Sequence, residues 1–120
     1  MQDILINLIT HINQIRMYHW KTSIHSRHIA TDKYMDKVNP IIDTMIETLQ
    51  GKRGMRIKDS FKIEFFSMTD KNAEDYLFEH QRWLENDFEA LVDENETDIL
   101  NLRDELLSAV SRLIYLFTLK

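Results

Sequence analysis

Apolar residues recur along four stretches of this chain in phase with steps of three and four, which is the repeat of an amphipathic α-helix. Only two glycines and one proline interrupt its 120 residues, which leaves little room for the turns of a β fold. We therefore predict four helices. Their apolar stripes are Leu5, Leu8, Ile12, Ile15 and His19; Ile24, Met35, Val38, Ile42, Ile46 and Leu49; Ala73, Leu77, His80, Leu84, Phe88 and Leu91; and Ile99, Leu102, Leu106, Val110, Leu113 and Phe117.

Local signals place the ends of these helices. The second helix is expected to run from about Ser23 to Gln50, with Gly51 as its C-cap. Asp70 is the expected N-cap of the third helix, and the fourth begins after Thr97-Asp98.

Two features interrupt the pattern. Pro40 lies inside the second stretch, and because the stripe keeps its phase there, we predict one kinked helix rather than two. Residues 52–69 form a connector rich in Lys, Arg and Phe, which in an up-down-down-up bundle must travel the bundle's length. Apolar side chains, with or without a short helix, would pin it to the surface: Phe61, Ile63, Phe65 and Phe66.

These features predict one all-α domain over residues 1–120, a ferritin-like four-helix bundle with a long crossover between helices 2 and 3. The absence of Cys excludes disulfides and thiolate metal sites. A net charge of −5 argues against general nucleic-acid binding, and no apolar run is long enough to span a membrane. The N-terminus lacks the features of a signal peptide, so we expect a cytoplasmic protein.

A row of potential metal ligands lies along the second helix: His28, Asp32, Asp43 and Glu47. At 3.6 residues per turn, all four side chains fall within an arc of about 100°. Asp32 and Asp43 are about 16 Å apart along the axis, so one ion with ligands at about 2 Å cannot join them. One chain therefore carries two half-sites. An antiparallel second copy, related by a two-fold axis near Lys37-Val38, would complete both.

A di-iron site within one subunit is not expected. Ferritin-like di-iron bundles carry Glu-x-x-His motifs on facing helices, and no Glu stands three residues before any His in this sequence. The spacing of the ligands favours a site between subunits instead.

Several of these residues together resemble the Dps-like mini-ferritins, with a fainter resemblance to the compact ferritin-like proteins of phages and large DNA viruses. The resemblance runs through Tyr18-His19-Trp20, His28-x-x-x-Asp32, eleven residues to Asp43-x-x-x-Glu47, and Gly51. The last helix, DILNLRDELLSAVSRLIYLFTLK, is also similar to that family's last helix.

The resemblance implies a role for each residue. One subunit would supply His19, His28 and Asp32, and its two-fold mate would supply Asp43 and Glu47. The bound metal would be iron, although the same ligands also suit zinc or manganese. Family chemistry would be oxidation of Fe(II) by peroxide or dioxygen, with ferric mineral stored in a twelve-subunit shell. Trp20 would lie near the metal, and a viral member would work in the host cytoplasm.

The sequence also departs from the family pattern. The spacer between Trp20 and His28 is shorter than usual and contains His25, which could replace a ligand. No basic tail precedes the first helix, so DNA binding is not expected.

Other interpretations of the same residues stay open. His19 could be a core histidine, and the carboxylates could be solvated surface groups or part of a polar dimer face with Asp36 and Asn39. The alternative function is a ferritin-like structural or interaction bundle with passive metal binding or none.

Overall fold

The computed structural model describes residues 1–119, most of which are helical. The four α-helices are α1 (Gln2–Lys21), α2 (His25–Arg53), α3 (Ala73–Arg82) and α4 (Thr97–Phe117). No strand occurs among the described residues, so the all-α four-helix prediction is confirmed at that level. Within the same residues, no helix is both long and apolar enough to cross a membrane.

Contacts between helix ends fix the directions of the helices. At one end of the bundle, Arg53 near the end of α2 donates to Glu96, which precedes α4, at 2.7 Å. At the opposite end, Arg27 near the start of α2 donates to Glu74 of α3 at 2.8 Å and to the carbonyl of Phe117 at the end of α4. Helices α2 and α4 are therefore antiparallel, whereas α2 and α3 start at the same end.

Because α2 and α3 start at the same end of the bundle, the connector between them must run back along its length. It contains no helix between residues 55 and 69. Gln14 of α1 anchors it by exchanging two hydrogen bonds with the backbone of Phe66, and Met68 is buried in the core. The rings of Phe65 and Phe66 stay about half exposed, so the connector is held less by its aromatic side chains than the sequence predicted.

Helix α2 runs unbroken through Pro40, which confirms one helix rather than two. Its buried residues on both sides of the proline share one face, because the stripe keeps its phase. The predicted cap at Gly51 is wrong. The helix continues through Gly51 and ends at Gly54, whose φ of 61° is in the left-handed region that favours glycine at a helix end.

The third helical stretch is not regular. After α3, the chain forms a π turn at Trp83–Asp87 and a 3-10 turn at Phe88–Leu91. Arg103 of α4 donates to the carbonyl of Leu84 at 2.9 Å, so this buried acceptor in the widened turn has a partner. The predicted cap at Asp70 is also wrong, since Asn72 precedes α3 and the Asp70 carboxylate bonds to residues near the start of α2.

Candidate metal centre

His19 and His28 lie against each other where α1 ends and α2 begins. The link between the two helices covers only residues 22–24, so the last turn of α1 packs beside the first turn of α2. The two imidazole rings are stacked, with centres 4.0 Å apart and planes 12° from parallel. Both side chains are partly accessible to solvent. The structure therefore brings together two of the five predicted ligands.

The hydrogen bond of His28 fixes its tautomer. Its Nδ1 lies 2.9 Å from the backbone carbonyl oxygen of His19. A carbonyl oxygen can only accept, so Nδ1 carries the proton and donates it. In the neutral ring, Nε2 then keeps a lone pair that is available to a metal ion.

Thr31 fixes the tautomer of His19 in the same sense. The Thr31 hydroxyl oxygen lies 2.8 Å from the carbonyl of Arg27 and 3.1 Å from that of His28, and its one proton goes to these acceptors. The hydroxyl must therefore accept from Nδ1 of His19, which lies 2.9 Å away. Nε2 of His19 is again left with a lone pair. A histidine held by its other nitrogen is the usual arrangement around metal ligands.

The three predicted carboxylate ligands are all exposed on α2: Asp32, Asp43 and Glu47. Asp32 follows His28 by one turn, whereas the other two lie further along the helix. No three His, Asp or Glu side chains within the described part of one chain are grouped so that they could hold a metal ion. One chain therefore presents two adjacent imidazoles and separate carboxylates.

Trp20 and His25 lie near the pair His19 and His28 in the sequence, and both are exposed. The side chain of Trp20 is 70 % exposed, so nothing within residues 1–119 covers it. His25 is also exposed, and its ring centre lies 6.4 Å from that of His28.

A polar network holds this corner of the bundle. The Asp70 carboxylate accepts from the hydroxyls of Tyr18, Thr22 and Ser23 and from the backbone N–H of Ser23. Partial burial alone would raise the pKa of Asp70, but these hydrogen bonds outweigh it and lower the pKa to about 2. Arg27 also donates to the Tyr18 hydroxyl and the Asp70 carbonyl. Sequence reasoning missed this network, because only the cap-like position of Asp70 signalled a role.

A second histidine pair lies in the core, where both members were expected to be packing residues. His11 and His80 are buried and stacked, with ring centres 3.4 Å apart. Both nitrogens of His11 are bonded to hydroxyls, those of Tyr34 at 2.7 Å and Tyr76 at 2.8 Å. Burial lowers the pKa of His80 to about 3, and burial together with His80 lowers the pKa of His11. Since His11 has no free nitrogen, this pair is a structural element and not a metal site.

One family model matches most of the chain. Residues 19–117 match a family described as a family of unknown function, DUF5856, and the chain belongs to that family. The matched range begins at His19 and includes all five predicted ligands. No curated protein and no solved structure matched the chain.

Proposed function

We propose that this protein binds Fe(II) at sites shared between two-fold-related subunits and oxidises it, in the manner of Dps-like mini-ferritins. The observation that carries the proposal is the pair His19 and His28, whose Nδ1–H groups are both committed to acceptors. The two rings are stacked with centres 4.0 Å apart, each ring keeps a free Nε2, and the pair lies at one end of an exposed row of carboxylates.

The helix arrangement supports the same proposal. Helix α2 packs on α1 and on the antiparallel α4, α3 packs on α4, and a long connector joins α2 to α3. A bundle with one long crossover is the ferritin-like arrangement. The sequence contains no Glu-x-x-His motif, and both nitrogens of the core residue His11 are bonded to tyrosine hydroxyls.

The donor set suits the proposed substrate. Imidazole nitrogen and carboxylate oxygen together bind Fe(II), and also Zn(II) or Mn(II). His19, His28 and Asp32 of one subunit would meet Asp43 and Glu47 of the second copy, which brings negative charge to stabilise the ferric product. Each Fe(II) would give one electron to peroxide or dioxygen. A twelve-subunit shell would then hold the ferric mineral.

The test is the rate of Fe(II) oxidation, followed by the rise of ferric absorbance above a buffer blank. We expect His28→Ala and Glu47→Ala each to lose most of the rate. Glu105→Ala is the matched control, because Glu105 is an exposed helical glutamate outside the ion pairs of the described residues. Wild-type oxidation no faster than the blank would refute the proposed activity.

The second candidate is a structural or interaction bundle that binds zinc passively or binds no metal. It is favoured by the exposure of all three carboxylates on α2, which is the usual environment of solvated surface groups. Zinc binding that depends on His19 and His28, without Fe(II) oxidation, would support this candidate.

A further inference from the structure

The exposed face of α2 carries negative charge that the subunit itself does not balance. Asp32, Asp36, Asp43 and Glu47 are exposed on this face, and none of them forms an ion pair with another described residue. Lys33 and Lys37 of α2 form no ion pair with these carboxylates and line a groove against α4. That groove is formed by Ala30, Lys33, Tyr34, Lys37, Ala109, Arg112, Leu113 and Leu116.

A second copy on this face would bring the like charges together. In the antiparallel register about Lys37-Val38, Asp32 lies opposite Asp43 of the second copy, and His28 lies opposite Glu47. The same register places Asp36 opposite Asn39, so four carboxylates from each chain meet without a lysine or arginine between them. Carboxylates that face each other across this contact repel one another, because they carry the same charge.

Little apolar surface is available to oppose this repulsion. On α2, Ile29 is 42 % exposed and lies opposite the half-buried Ile46 of the second copy in this register. The exposed indole of Trp20, next to the histidine pair, is the other apolar group near the face. The remaining side chains there are mostly charged or polar, so the contact is poor in hydrophobic area.

We propose that divalent metal controls dimerisation through this face, so that the protein is monomeric without metal and pairs when metal is bound. The inference rests on the shared site proposed above. Two ions per dimer bring four positive charges to the carboxylates and take ligands from both chains. Since each complete site exists only in the dimer, metal stabilises the dimer by mass action.

The oligomeric state tests this inference directly. The mass of the protein at about 10 µM would be measured by light scattering, first with a chelator and then with Mn(II), which avoids oxidation. We expect a monomer with chelator, and a dimer or a multiple of it with Mn(II). Added NaCl should promote dimerisation of the metal-free protein, because salt screens the carboxylates.

Asp36→Asn separates the charge argument from metal ligation, because Asp36 is not a proposed ligand. Removing two negative charges per dimer should lower the Kd of the metal-free dimer by about threefold or more. Glu105→Gln removes a carboxylate elsewhere and should leave that Kd unchanged. A dimer of equal affinity with chelator and with Mn(II), insensitive to Asp36→Asn, would overturn the inference.

The outcomes also distinguish this inference from the proposed function. A metal-independent dimer whose iron oxidation still needs His28 and Glu47 would refute metal control and keep the shared site. Mn(II) binding at one ion per chain, measured by equilibrium dialysis on a protein that stays monomeric, would refute both.

Discussion

Replacing Thr31 with Val tests whether the tautomer of His19 prepares it to bind metal. Valine has nearly the same shape, but it lacks the hydroxyl that accepts the proton of His19 Nδ1 at 2.9 Å. The ring of His19 would then be free to turn and to carry its proton on either nitrogen. His28 would keep its own bond, because its acceptor is a backbone carbonyl.

The expected loss of metal affinity follows from removing one of the two hydrogen bonds that hold Nδ1 of His19 and His28. Removing a group that orients a metal ligand typically costs 10- to 100-fold in affinity. Because only His19 loses its acceptor, we expect about tenfold weaker Zn(II) binding, or about 1.4 kcal/mol. Thr31→Ser keeps the hydroxyl and should restore affinity close to wild type.

Titration calorimetry with Zn(II) at neutral pH would measure these affinities. Thr44→Val is the matched control, since Thr44 is an exposed threonine on the same helix. Thermal melting would show that each variant is folded. If Thr31→Val binds as tightly as wild type while folded, the tautomer argument is wrong.

The remaining predictions concern sharing of the site, pH and the widened turn. When His28→Ala and Glu47→Ala chains are unfolded and refolded together, random pairing makes half the dimers mixed and about a quarter of all sites intact. Oxidation should return toward a quarter of wild type, and no recovery despite mixed dimers would exclude ligands from two chains. Because the folded pKa of His80 is about 3, below its ordinary 6.5, the unfolded chain binds the proton more readily between these values. The contribution of neutral His80 to the free energy of unfolding should therefore be fully present above pH 6.5. Protonation of His80 in the unfolded chain should lower the free energy of unfolding by about 1.4 kcal/mol at pH 5.5. Urea unfolding at pH 8 and 5.5 measures this. Because the pKa of His11 is lowered as well, His80→Phe should reduce the loss without abolishing it, and a loss as large as that of the wild type would contradict the assignment. Arg103→Met should cost about 1–3 kcal/mol by leaving the Leu84 carbonyl without its donor, and an unchanged urea midpoint would show that water replaces it.

The main helices could be predicted from the sequence because the spacing of apolar residues is repeated along each one. A stripe of apolar side chains gives many independent observations of one period, so helix type and buried face are well determined. A helix end depends on one or two residues. The αL conformation of Gly54 rather than Gly51 was therefore not visible in the sequence.

Other missed features are contacts between residues that are far apart in the sequence. Asp70 looked like a local cap, but its partners Tyr18, Thr22 and Ser23 are 47 to 52 positions away. The acceptor role of Thr31 likewise depends on the packing of α1 against α2. Residue spacing showed that ligands share a helix face, but it could not show which nitrogen of a histidine is free.

The π turn at Trp83–Asp87 also has a consequence for chain length. A π turn holds one residue more than the α-helical turn it replaces. Glu85, Asn86 and Asp87 are exposed within it, so the extra residue projects toward solvent and not into the core. A single-residue deletion here is therefore the change in length that the helix can absorb with the least displacement of buried Leu84 and Phe88. In related chains, gaps of one residue should therefore concentrate at this turn. A chain with the gap has an ordinary helical turn here, so the carbonyl at position 84 no longer needs the donor that Arg103 supplies, and the arginine should be absent.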